Sequence, residues 1–85
     1  MTVTLFVLKV DEFKALIEQA RLQPGVEVSD GPKGYACIRS QRELTFNRKA
    51  LGFKPAVWYG SLTGGLVGRI QEFSRDTLRI VSDGV

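Results

Sequence analysis

From Val3 to Val10 the chain reads VTLFVLKV, with β-branched and aromatic side chains on both parities. Such a run predicts a strand covered on both faces and central in its sheet. The period then changes. Phe13, Leu16, Ile17 and Ala20 recur at helical spacing and form one apolar stripe. Lys14 and Glu18 lie four apart on the wet face of the same helix. Asp11 reads as its N-cap, with Glu12 at the positive end of the helix dipole. Pro24-Gly25 stops it, so one long amphipathic helix is expected over 11–23.

Alternation returns at Val26-Glu27-Val28-Ser29, a half-buried strand. The turn signal Asp30-Gly31-Pro32-Lys33-Gly34 follows, and Tyr35 to Arg39 comes back as the second strand of a hairpin. Ser40-Gln41-Arg42-Glu43 reads as another turn into Leu44-Thr45-Phe46-Asn47. Arg48 to Lys54 shows no clean period. Pro55 suits the first turn of a short second helix over 55–63, although Gly60 weakens it. Leu66–Phe73 and Thr77–Ser82 bracket Ser74-Arg75-Asp76 as a closing hairpin, with Ile70, Leu78 and Ile80 expected inward. This order gives an α+β fold, a mainly antiparallel sheet with its helices on one face. A ferredoxin-like split βαβ arrangement is the nearest topology.

Composition narrows the class. Eighty-five residues, 44% of them apolar, suit one domain spanning 1–85. A chain of this length buries only about 60–65% of its unfolded surface. With one cysteine there is no internal disulfide to supplement the core. No apolar run is long enough for a transmembrane helix, so no membrane role is expected. The N-terminal stretch lacks the basic region of a secretory signal, and a free thiol suits a reducing compartment; a cytoplasmic location is the expectation.

Charge is uneven. Residues 1–32 carry a balance of −2, residues 33–54 one of +5, and residues 55–85 one of zero. The positive excess comes from Lys33, Arg39, Arg42, Arg48, Lys49 and Lys54 against Glu43 alone, interleaved with Tyr35, Phe46 and Phe53. Cations supply phosphate affinity, and aromatic faces on a sheet can stack bases. The segment is therefore a candidate surface for nucleic acid or another anionic ligand. Its competing role is a solvated face whose arginines pair with nearby glutamates.

Candidate catalytic chemistry is sparse. Without histidine the chain lacks the commonest general base and the commonest metal ligand. One cysteine cannot close a zinc site of the usual kinds, so neither metal nor cofactor is expected. Cys37, between Ala36 and Ile38, reads as a buried thiol; Arg39 on the same face is the one neighbour that could activate it. The residues argue against an enzyme. Gly60-Ser61-Leu62-Thr63-Gly64-Gly65 lacks the lysine of a phosphate-binding loop. It could still offer backbone N–H groups and the Ser61 and Thr63 hydroxyls to an anion beside Arg69. Trp58 and Tyr59 are adjacent, so their side chains diverge. One is expected in the core and the other at an interface.

These features favour a small interaction or accessory module that self-associates into a homo-oligomer, with Trp58 or Tyr59 at the contact. The second reading binds nucleic acid or another anion through 33–54, with Arg39, Arg42, Arg48, Lys49, Lys54, Ser61, Thr63 and Arg69 as the anion-binding set. The third is a small-molecule pocket around Trp58 and Arg69, with Cys37, Ser61 and Thr63 near it.

Overall fold

The alternating and helical periods are realised in the computed structural model, which describes residues 2–82. Strand β1 (Val3–Leu8) leads into a 3-10 turn at Asp11–Phe13 and helix α1 (Lys14–Leu22). The hairpin β2 (Val26–Asp30) and β3 (Tyr35–Ser40) follows. Then come β4 (Glu43–Asn47), the one-turn helices α2 (Arg48–Leu51) and α3 (Pro55–Tyr59), the two-residue β5 (Leu66–Val67), and the hairpin β6 (Arg69–Phe73) and β7 (Thr77–Val81).

The strands form two antiparallel sheets, ordered β2-β3-β1-β5 and β4-β7-β6. The α+β reading holds, but two sheets stand where a ferredoxin-like arrangement would have one. As expected, β1 is central, with Leu5 opposite Ile38 on one side and Leu66 on the other. Its core-facing residues Val3, Leu5 and Val7 are buried. Helix α1 lays Leu16 and Ala20 into that core, with Phe13 and Ile17 packed at its margin. Burying one leucine side chain fully is worth about 2 kcal/mol. The second sheet adds Leu44, Phe46, Leu78 and Ile80 to the same cluster, so the two sheets share one core.

Several local expectations are corrected. The Asp11 side chain caps nothing; Asp11 opens the 3-10 turn, and its backbone carbonyl accepts from Lys14 N–H. The aperiodic stretch after Asn47 holds α2, whose first turn is capped by Asn47 Oδ1 accepting from Ala50 N–H at 3.1 Å. Four residues are too few to display a period. The second helix ends at Tyr59, and turns continue to Gly64.

Leu66–Phe73 is not one strand of a hairpin. It breaks at Gly68, with β5 on the edge of the first sheet and β6 on the edge of the second. Gly68 is the joint, at φ 137°. A Cβ there would lie 2.8 Å from the Val81 carbonyl oxygen and 3.2 Å from Ile80 Cγ2, so only glycine passes between the sheets. Ile70 does not go inward as expected. It is 44% exposed, because β6 is an edge strand with a bulge between Ile70 and Glu72.

Candidate functional site

The segment from Phe53 to Arg69 carries its aromatic pair on α3, one ring buried and the other exposed. Trp58 is fully buried, and its indole N–H donates to the Ser74 carbonyl at 2.8 Å. Its ring meets Phe73 edge-on at 5.7 Å. Tyr59 is 52% exposed and tilts over the same Phe73 at 5.5 Å. Trp58 is thus the inner member and Tyr59 the outer one. Val67, on the β5 edge of the first sheet, and Ile70, on the β6 edge of the second, are exposed as well, and Phe73, which Tyr59 meets, is half-buried at the far end of β6. An exposed aromatic together with exposed apolar side chains on open sheet edges has the composition of a protein contact.

The turn after α3 is packed onto β1. Phe6 N–H donates to the Gly65 carbonyl at 3.0 Å, and a Cβ on Gly64 would sit 2.3 Å from the Phe6 carbonyl oxygen. The loop therefore cannot lift without breaking its seat on the strand. Its N–H groups at residues 60, 61, 63 and 65 are bonded to the carbonyls of Val57, Trp58, Gly60 and Leu62. Thr63 Oγ1 donates to the Gly60 carbonyl at 2.9 Å. Ser61 is 2% exposed, and its hydroxyl has no partner among the described residues. An anion approaching this loop finds most of its donors already spent. Arg69 lies beyond the sheet joint, exposed at the start of β6.

The basic segment is divided by the fold. Arg39 and Arg42 stand at the end of β3 and the turn beyond it, both exposed. Arg48, Lys49 and Lys54 lie at the other end of β4, a strand about 16 Å long. Arg48 is committed there. Its guanidinium donates to Asp76 Oδ1 at 2.9 and 3.1 Å, to the Phe53 carbonyl at 2.9 Å and to the Arg75 carbonyl at 3.0 Å. One side chain thus ties the β4–α2 junction to the β6–β7 turn. Lys49 and Lys54 remain exposed. Cys37 is buried on β3 opposite Phe6 and Ser29, with Arg39 Nη2 3.8 Å from its sulfur.

Two grooves mark the surface. One, of about 390 Å³, lies between α1 and β2 and is crossed by the Lys9–Asp30 ion pair, which holds the Asp30 carboxyl below the usual aspartate value. The other, of about 1060 Å³, opens where the chain crosses between sheets and is lined by residues of 23–27 and 39–45 together with Thr2. In the sequence one wall is the Pro24-Gly25 helix stop and the other the Ser40-Gln41-Arg42-Glu43 turn, with Arg39 and Arg42 among the anion-binding candidates. Neither groove includes Trp58 or Arg69.

No family model and no curated protein matches this chain. Among solved structures, it is similar to a chain from the structure of the phenol hydroxylase–regulatory protein complex. The TM-score is 0.77 at 16% identity, over 95% of this chain and 98% of the other. That likeness shows a shared fold. No helix among the described residues is long and apolar enough to cross a membrane.

Proposed function

We propose that this chain is a regulatory or accessory protein that acts by docking on a larger enzyme, with Tyr59 and the β5–β6 edge as its contact and no chemistry of its own. The observation that carries this reading is the fold match over nearly the whole of both chains to a component of a hydroxylase–regulatory protein complex. The exposed Tyr59, Val67 and Ile70 support it as the apolar part of a contact. A photo-reactive amino acid at position 59, introduced in the source cell, tests it. The reading expects a crosslinked adduct with one larger protein, absent when the probe stands at the exposed Leu22 on α1. Adducts only with a second copy of the chain, or none, would reject it.

Self-association is the second reading, favoured by the same open edge. Two copies could pair along β6, and sedimentation at micromolar concentration would then show a dimer that Tyr59→Asp dissociates. A 9.4 kDa species throughout would end this reading. Nucleic-acid binding through 33–54 has less support, since its cations fall into two groups and Arg48 is occupied by Asp76.

A further inference from the structure

We propose that the groove at the crossing between the two sheets binds an extended, carboxylate-bearing segment of a protein partner, gripped by Arg39 and Arg42. The partner's being a protein rests on the accessory reading above; the chemistry of the groove does not.

The crevice arises because β1, β2 and β3 reach the same end of the first sheet, with Ser40 opposite both Val3 and Val26. There the chain turns through Gln41-Arg42 and enters the second sheet. The turn is held by Arg42 N–H donating to the Ser40 hydroxyl at 3.2 Å. The opposite wall is tied down by Gln23, whose side-chain amide donates to the Thr45 carbonyl at 2.9 Å. That bond also caps an outward carbonyl of the edge strand β4. The groove is thus framed by fixed backbone on both sides.

Its charges are unevenly satisfied. Among the described residues only Lys9, Arg48 and Arg79 hold a carboxylate; the groove's Arg39 and Arg42 are two of the nine cations that do not. Arg39 has only the Cys37 sulfur, a weak acceptor, at 3.8 Å. Of the two groove carboxylates, Glu43 is taken by Arg79 at 2.6 Å. Glu27, cross-strand from Arg39, makes no ion pair. Two guanidinium forks suit bidentate carboxylate recognition. The spare Glu27 carboxylate beside them is an acceptor for a donor on the same ligand. An extended acidic peptide offers both, through its side-chain carboxylates and its backbone N–H groups. A DNA backbone offers acceptors only and would leave the Glu27 carboxylate without a donor.

The test uses the isolated protein and a capped hexaglutamate peptide, so it stands apart from any search for the partner. In ¹⁵N-resolved NMR at low salt, the Arg39 and Arg42 side-chain resonances and the amides of residues 25–27 and 41–43 should shift saturably. Arg39→Gln with Arg42→Gln should weaken binding by about tenfold or more, since both charge-assisted forks are lost. Arg39→Lys with Arg42→Lys should recover it in part, and this pair replaces the glutamines if they impair folding. Lys49→Gln with Lys54→Gln should leave it unchanged. No saturable shift, a shift spread evenly over all cations, or binding retained without both arginines would overturn the proposal. So would tighter binding of an oligothymidylate than of the peptide.

Discussion

Arg48 was a candidate ligand for anions in the sequence, and in the fold it is a fastener. Replacing it with alanine removes four hydrogen bonds to three acceptors: Asp76 Oδ1 and the carbonyls of Phe53 and Arg75. Bonds to charged groups contribute about 1.5–3 kcal/mol each when well shielded. Shielding here is partial, because the Arg48 side chain is 14% exposed and that of Asp76 39%. Solvent screening therefore reduces the ion pair to about 1 kcal/mol. The two carbonyls lose partners in part-buried and exposed settings, adding about 1–2 kcal/mol. A total near 2–3 kcal/mol is expected, a large share of the roughly 5–10 kcal/mol that holds a small domain. Urea unfolding of Arg48→Ala, Asp76→Ala and the double variant would measure it. The cycle should return a coupling of about 1 kcal/mol, and Arg48→Lys should restore only part of the loss. If Arg48→Ala costs under about 0.5 kcal/mol, the usual effect of a surface change, the fastener account is wrong.

Other expectations follow from the same packing. Leu16→Ala should cost about 2–5 kcal/mol by leaving a cavity under α1, and an unchanged melting midpoint would contradict its burial. Gly64→Ala should be severely destabilising, because its Cβ would lie 2.3 Å from the Phe6 carbonyl oxygen, which is backbone, as well as 2.9 Å from the Tyr35 ring; a stable, well-dispersed spectrum would refute the close approach. Ser61→Ala should raise the midpoint, since a buried hydroxyl without a partner costs about 1–3 kcal/mol, whereas a fall would reveal an unrecognised bond. Asp30 is lowered first by its hydrogen bond to Lys9 and then by the charge of that lysine. A lowered carboxyl stabilises above its unfolded value and loses that contribution as pH falls through the folded one. Stability of Asp30→Asn should therefore depend less steeply on pH than the parent below about pH 4, and parallel curves would contradict the pairing.

The first half of the fold was legible because each element carries its own period. The β-branched run of β1, the Leu16–Ala20 stripe and the Asp30–Gly34 turn each dictate local structure without reference to distant chain. The second half depends on partners. Nothing in Leu66-Val67-Gly68-Arg69 says that Val67 pairs with Thr4 while Arg69 pairs with Val81; the break needs both sheets in place. Ile70 likewise reads as core until β6 is known to be an edge. At the candidate contact, the divergence of Trp58 and Tyr59 was legible from adjacency. Which one faces out was decided by Phe73 and the Ser74 carbonyl, both from β6 and the turn beyond it. The grouping of cations failed to follow sequence proximity because β4 carries Arg48 about 16 Å from Arg42.

The most direct measurement is made on the protein that crosslinks to position 59, once it is purified. Its catalytic turnover, or its product ratio, is followed while this chain is titrated in. The account predicts a saturable change reached near one chain per partner, with Tyr59→Asp needing about tenfold more protein for the same effect. An enzyme whose turnover and products are identical with and without the chain, at concentrations where the two are bound, would contradict it.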